Sequence, residues 1–244
     1  MNYAIILAGG QGVRMNNTGI PKQFIELTGV PMLVYSMRTA QANKNFDEIC
    51  VVTHPSSYEN VKKWGKEYGI TKLKYFAEAG KERHQSVYNG LASLPAGKSD
   101  IVTIMTAVCP FVSQLTMDKH FEMLQKYDAC ITVVKATDAI TFSNDGKRVN
   151  RTLQKGKLFV QQGPQTYRYG VLRMGHEVYS EDADRQEVFE DSELVLNIGI
   201  EVGMVLGDRF CVKITYKEDL AIAEALHELF EKKERARTDE SDNL

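Results

Sequence analysis

The residues best suited to chemistry lie close to the amino terminus. Leu7-Ala8-Gly9-Gly10 leads through Gln11 to Gly12, Val13, Arg14 and Met15, and a Pro21-Lys22-Gln23 triplet follows. Glycine lets the backbone adopt positive φ and approach a ligand closely, so successive N–H groups converge on phosphate oxygens. Arg14 and Lys22 add full positive charge where the backbone supplies only partial charge. A loop of this kind suits a nucleoside triphosphate whose pyrophosphate has to leave.

Spacing excludes two commoner glycine motifs. A dinucleotide fingerprint needs a glycine three residues after Gly12, and Met15 stands there. A Walker loop needs Gly-Lys-Ser/Thr after its first glycine, which is absent. Gly-Gly turns also close many strands without any ligand. The downstream Lys22 favours the phosphate reading.

The elements that must position this loop follow from the hydrophobic pattern. Residues 3–7 form a continuous apolar run of the sort buried on both faces of a sheet. Similar runs recur at 48–53, 72–76, 101–105 and 130–134, with helical patterns at 31–41, 57–68, 83–94 and 117–126 between them. The alternation predicts an α/β fold: a Rossmann-like, doubly wound, mostly parallel mixed sheet. Ligands of such sheets sit beyond the carboxyl ends of the strands, so the glycine loop and residues 106–110 should share one cleft.

Residues 138–157 break the pattern. Asn144-Asp145-Gly146-Lys147 carries a strong hairpin signal and predicts a protruding β-arm. A two-stranded ribbon is marginal alone, so the arm packs either on a twin subunit, making a homodimer, or back on its own domain. Residues 201–206 and 210–214 read as final strands. Residues 217–233 read as a closing helix with Leu220, Ile222, Leu226 and Leu229 as its core face. The expectation is one domain over residues 1–230 and a charged, solvated tail over 231–244.

At 244 residues and 43% hydrophobic content, the chain can bury one substantial core. Its net charge is -2, and apart from short pairs such as Lys62-Lys63 and Lys232-Lys233 it has no basic block, so nucleic acid is not an indicated partner. No apolar run of about 18 residues and no signal-peptide pattern occurs, which predicts a soluble, cytoplasmic protein without membrane contact. Cys50, Cys109, Cys130 and Cys211 lie in or beside apolar runs without metal-site spacing, as buried reduced thiols do.

Further blocks join the amino-terminal loop. Gly80-Lys81-Glu82-Arg83-His84-Gln85-Ser86 and its continuation to Leu91, Gly163-Pro164-Gln165-Thr166-Tyr167, and Val212-Lys213-Ile214-Thr215 occur in that order. With residues 7–15 and Pro21-Lys22-Gln23, they resemble the cytidylyltransferase family that contains methylerythritol phosphate cytidylyltransferase and the ribitol-5-phosphate enzymes. The resemblance runs from residue 2 to about residue 228.

The resemblance implies transfer of CMP from CTP to a small polyol phosphate with release of pyrophosphate, helped by Mg2+. It implies that Arg14 and Lys22 grip the triphosphate and that Lys213 binds the α-phosphate. Leu7, Ala8, Gly9, Gly10, Gly12, Gly80, Arg83 and Ser86 would form the nucleotide site. Thr106, Cys109, Thr152 and Lys155 would face the acceptor, the last two from the arm. Plainer roles exist for some of these: a lysine such as Lys213 is often a solvated surface cation, and Ser86 suits a helix cap.

The chain also departs from the family. The family's His-Asp-Ala-x-Arg-Pro-Phe reads Met105-Thr106-Ala107-Val108-Cys109-Pro110-Phe111, so both charged groups are gone. The family aspartate helps to hold Mg2+; Thr106 offers a neutral hydroxyl, and the metal ligands stay unassigned. Cysteine lacks the guanidinium fork that suits a phosphate. Cys211 replaces an asparagine, Lys155 an arginine, and Glu190-Asp191-Ser192 a Thr-Asp-Asp segment. The sequence therefore leaves three readings: an active transferase with an altered acceptor, a silent nucleotide-binding homologue, or a transferase for another nucleoside triphosphate.

Overall fold

The computed structural model describes residues 1–10, 20–184 and 186–241, with side chains as far as Arg237. In chain order its elements are β1 (Asn2–Leu7), β2 (Glu26–Leu27), β3 (Val30–Pro31), α1 (Met32–Ala42), β4 (Glu48–Thr53), α2 (Tyr58–Glu67), β5 (Leu73–Glu78), α3 (Arg83–Ala92) and β6 (Ile101–Thr106). There follow α4 (Gln114–Met123), β7 (Ala129–Lys135), β8 (Thr141–Phe142), β9 (Arg151–Thr152), β10 (Phe159–Arg168), α5 (Tyr169–Glu181), α6 (Asp191–Asn197), β11 (Gly203–Leu206) and α7 (Glu218–Ser241).

The main sheet runs β11-β7-β10-β6-β1-β4-β5. Its neighbours are parallel except β10, which lies antiparallel between β6 and β7. Because successive side chains of a strand alternate between faces, β1 feeds two cores. Ala4 and Ile6 pack with Leu33 and Met37 of α1, Val61 of α2 and Met117 of α4. Tyr3 and Ile5 pack with Val87 and Leu91 of α3, Leu172 of α5 and Val195 of α6. Helices thus cover both faces, as the alternating pattern predicts.

The strand β10 is not legible in the sequence. Its Phe159–Arg168 segment is polar at its centre, and its register on β7 shifts between Gln162 and Gln165, around a cis Gly163–Pro164 peptide. The paired strands on both sides supply the order that its own composition does not.

Two expectations about the carboxyl-terminal part need correction. Residues 210–214 form no strand. Their backbone groups are met one by one: Val212 N–H donates to Phe210 O, Ile214 N–H to Val108 O, and the Gln162 amide to Cys211 O. The closing helix packs Leu220 and Leu226 as anticipated but not the other two residues of the expected face. Ile222 and Leu229 are 52% and 55% exposed. The packed side chains are Leu220, Ala223, Leu226 and Phe230, against Leu27, Val108, Phe111 and Ile214. At 3.6 residues per turn, positions 222 and 229 fall on the far side of the helix from Leu220.

The charged end is also more ordered than a solvated tail. Helix α7 continues to Ser241. Glu234 accepts from the Gln114 N–H at 3.0 Å, placing a carboxylate at the amino terminus of α4, and Arg237 pairs with Asp118 at 2.6 Å. The arm is a hairpin, Thr141 opposite Thr152 and Phe142 opposite Arg151, and is exposed over residues 141–152.

Candidate active site

The floor of the site is the carboxyl end of β1. Ala8 N–H donates to Val52 O, and Ala8 O accepts from Gln23 Nε2 at 2.6 Å and Thr53 Oγ1 at 3.0 Å. The loop entrance is thereby fixed to β4 and to the short 3-10 turn Lys22–Phe24. Gly9 is obligatory by contact: a Cβ there would stand 2.1 Å from the Ala79 Cβ. Gly80 is equally constrained, since a Cβ would stand 2.4 Å from the Gln85 Cβ. These glycines bring the β1 loop against the segment after β5.

Ser86 is not the cap of α3. Glu82 and Gln85 form a reciprocal capping box there. Ser86 lies inside the helix, where its Oγ accepts from Gly80 N–H at 3.0 Å and donates to Glu82 O at 3.2 Å. The hydroxyl therefore sets the Gly80 backbone that faces the cleft.

Leu7, Ala8, Gly9, Gly10, Lys22, Gly80, Arg83, Ser86, Thr106 and Lys213 line one cavity of about 440 Å³. Of the anticipated nucleotide-site and catalytic residues, Gly12 and Arg14 lie outside the described residues. Lys22 Nζ is 3.4 Å from Ile214 O, so it reaches the segment that bears Lys213.

A second cavity of about 200 Å³ adjoins the first. Arg83, Thr106 and Lys213 belong to both. Cys109, Cys211, Gln161, Gln162, Gln165 and Glu190 are among its other lining residues. Thr152 and Lys155 line neither cavity; both are exposed on the arm.

Arg83 is braced from behind. Its guanidinium pairs with Asp191 at 2.5 Å and Glu190 at 3.1 Å, and His176 Nε2 lies 3.3 Å from the other Asp191 oxygen. Burial alone would raise the Asp191 carboxyl, but the Arg83 charge and His176 outweigh it and hold the group below the usual carboxylate range. Gln165 donates to Glu190, and Tyr167 donates to Gln165.

Sequence reasoning assigned no role to Gln161, Gln165, His176 or Tyr167. The available signals were the Gly163-Pro164-Gln165-Thr166-Tyr167 block, which carries two of these residues, and the Glu190/Glu193 capping box at the start of α6; neither indicates the contact with Arg83.

The smaller cavity is also lined by two thiols. Cys109 and Cys211 are 5% and 9% exposed. The neighbouring Cys211 thiol, with the charges of Lys213 and Lys22, lowers the Cys109 thiol against the effect of burial. Cys211 moves up correspondingly, through Cys109 and burial.

The sequence model of the family described as IspD, 2-C-methyl-D-erythritol 4-phosphate cytidylyltransferase, matches residues 2–228. The chain belongs to this family. Among curated relatives, the 2-C-methyl-D-erythritol 4-phosphate cytidylyltransferase of Geobacillus thermodenitrificans is 35% identical over 229 residues, 93% of this chain and 97% of the relative. That of Geobacter metallireducens is 34% identical over 226 residues, covering 91% and 96%. The crystal structure of 4-diphosphocytidyl-2C-methyl-D-erythritol synthase from Anaerococcus prevotii superposes with a TM-score of 0.80 at 27% identity, over 93% of this chain and 96% of that one. The Francisella tularensis cytidylyltransferase gives 0.76 at 26% identity, over 91% and 97%.

A family of cytidylyltransferases raises the question of Mg2+. Among the described residues no group of three or more His, Cys, Asp or Glu side chains is arranged to hold a metal ion. The β6 end that faces both cavities carries Thr106, and the acidic neighbour Glu190 is committed to Arg83 and Gln165. The described side chains do not form a carboxylate seat for Mg2+. A hydroxyl and backbone oxygens are poor substitutes for a carboxylate toward a hard dication.

Proposed function

We propose that this cytidylyltransferase transfers CMP from CTP to 2-C-methyl-D-erythritol 4-phosphate or a closely similar polyol phosphate. The observation that carries the reading is the common cavity of the Gly9–Gly10 loop, Lys22 and Lys213, in a chain matched to the family over residues 2–228. CTP occupies this cavity, its base and ribose toward Gly80 and Ser86 and its triphosphate toward the loop, Lys22 and Arg14. The acceptor enters the adjoining cavity at Thr106, Gln161 and Gln162.

A phosphate monoester is already ionised near neutral pH, so its oxygen needs no base to attack the α-phosphorus. The new P–O bond forms as the bond to the β-phosphate breaks, and pyrophosphate leaves. Negative charge gathers on the α-phosphate oxygens and on the leaving group. Lys213 answers the first and Lys22 the second, and charge placed before the reaction costs no reorganisation during it. Any divalent ion arrives on triphosphate oxygens and water, because the described chain supplies no carboxylate for it.

The functional unit in this reading is a homodimer joined through the arms. Phe142 and Val149 are 42% and 66% exposed on a ribbon that has little to pack on within one chain. Thr152 and Lys155 then serve the acceptor site of the partner.

The test is pyrophosphate release from CTP, with Mg2+ present, on addition of 2-C-methyl-D-erythritol 4-phosphate and, separately, ribitol 5-phosphate. Release with either acceptor and not with UTP, GTP or ATP is expected. CTP binding without release for any polyol phosphate at high enzyme contradicts the reading and favours a silent nucleotide binder.

A further inference from the structure

Two of the four cysteines line the proposed acceptor cavity. Cys109 follows β6 and Cys211 precedes Lys213, and each thiol shifts the pKa of the other. The backbones behind them are tied together. Ile214 N–H donates to Val108 O at 2.9 Å. The Gln162 amide donates to Cys211 O at 3.0 Å and Asp208 O at 3.1 Å. Cys211 Sγ lies 3.3 Å from Gly163 O.

The two thiols also differ in the way an oxidisable pair requires. Cys109 is the more acidic, with Lys213 and Lys22 near it, while Cys211 stays protonated. The thiolate is the nucleophile in sulfur chemistry, and a neighbouring thiol resolves its first oxidation product. The remaining cysteines have no such setting. Cys50 contacts the Ser93 hydroxyl inside the sheet, and burial pushes its pKa to about 11. Cys130 sits against His120, and burial pushes it to about 12.

We propose that Cys109 and Cys211 form a reversible intrachain disulfide in response to hydrogen peroxide, and that this link locks the wall of the acceptor-side cavity. The Cys109 thiolate attacks one peroxide oxygen, the O–O bond breaks, and hydroxide leaves a sulfenic acid on Cys109. The Cys211 sulfur then attacks the Cys109 sulfur. The S–O bond breaks, and the Cys211 proton leaves with the hydroxyl as water. In sum, two thiols are oxidised to one disulfide while one peroxide takes up two protons and becomes two waters.

The link joins the chain after β6 to the segment that carries Lys213, in the lining of a cavity of only about 200 Å³. A disulfide holds its Cβ atoms about 3.5–4.5 Å apart, so the two segments become one covalently fixed wall and Lys213 is held in a single position. Loss of turnover on linkage rests on the transferase reading; formation of the bond does not.

The experiment treats the fully reduced protein with hydrogen peroxide, quenches it with an alkylating agent, and reads intact mass, non-reducing peptide maps and pyrophosphate release. The expected product has lost two hydrogens and carries a linked Cys109–Cys211 peptide pair. Cys50 and Cys130 remain alkylated as free thiols. Pyrophosphate release falls at least tenfold and returns with dithiothreitol. In Cys211→Ser the linked pair is absent, and Cys109 gains oxygen mass instead.

Oxidation confined to Cys50 or Cys130, a link between chains, or an unchanged mass under peroxide overturns the proposal. So does a formed link that leaves turnover unchanged. If the link forms in a protein whose reduced state releases no pyrophosphate with any acceptor, the disulfide stands and the transferase reading fails.

Discussion

Lys22 Nζ lies 3.4 Å from the carbonyl oxygen of Ile214, a contact that spans 192 residues of chain. It anchors the early cation to the segment that delivers Lys213, so both lysines belong to one cavity and each depends on the position of the other. Replacing Lys22 removes a charge from the leaving group and a tether from residues 210–214. A charge-assisted hydrogen bond contributes about 1.5–3 kcal/mol, so Lys22→Ala is expected to lower kcat/KM for CTP by about 10- to 150-fold. Steady-state pyrophosphate release measures it; an unchanged kcat/KM removes Lys22 from the site.

The Gly9 position tests the nucleotide loop. A methyl group there meets Ala79 at 2.1 Å, and neither backbone can yield without moving the loop or the segment after β5. CTP at 100 times its Kd should stabilise the native protein by about 2.7 kcal/mol. Gly9→Ala is expected to lose more than half of the corresponding rise in Tm. A full CTP-induced rise in that variant contradicts the placement of the base and phosphates.

Asp191 gives a stability prediction with a defined sign. Its pKa is lower in the folded chain than in the unfolded one, where a carboxylate titrates near ~4. Its contribution is therefore complete above that unfolded value and is lost as the pH falls through the folded one. Removing one partner of a buried pair costs about 3–5 kcal/mol, so Asp191→Asn is expected to be destabilised by that much at pH 7. Denaturant melts from pH 7 to pH 2 should show the native protein converging on the variant below about pH 4. Parallel curves at all pH values contradict the Arg83–Asp191 assignment.

Thr106 tests the absence of a metal seat. A carboxylate at the end of β6 would face both cavities, so Thr106→Asp is expected to lower the Mg2+ concentration needed for half-maximal pyrophosphate release by about 10-fold or more, the scale on which even outer ligands shift metal affinity. An unchanged Mg2+ requirement shows that residue 106 does not control it.

The parts of the fold that were legible in the sequence are those where local pattern and burial agree. The apolar runs of β1, β4, β6 and β7 are buried on both faces, and the helices between them begin or end within about three residues of the predicted bounds. Residues 159–168 give no strand signal and residues 210–214 give a false one, for opposite reasons. The first is polar yet held as a strand by two neighbours; the second is apolar yet held as a loop by side chains and by α7. In the site, glycines and lysines announced themselves by type and spacing. The bracing of Arg83 by Asp191, across 108 residues, has no local signature. Nor has the meeting of Cys109 with Cys211, because only the tertiary fold brings their segments together.

The most direct measurement compares Lys213→Ala with the native protein in pyrophosphate release from CTP and 2-C-methyl-D-erythritol 4-phosphate, with CTP affinity followed in parallel. A charge that is felt most in the transition state lowers kcat far more than it weakens binding. The expected result is a loss of about 100-fold or more in kcat, on the scale of removing an oxyanion donor, with CTP affinity changed only a few-fold. A variant that keeps its kcat and loses only CTP affinity contradicts the assignment of Lys213 to the α-phosphate.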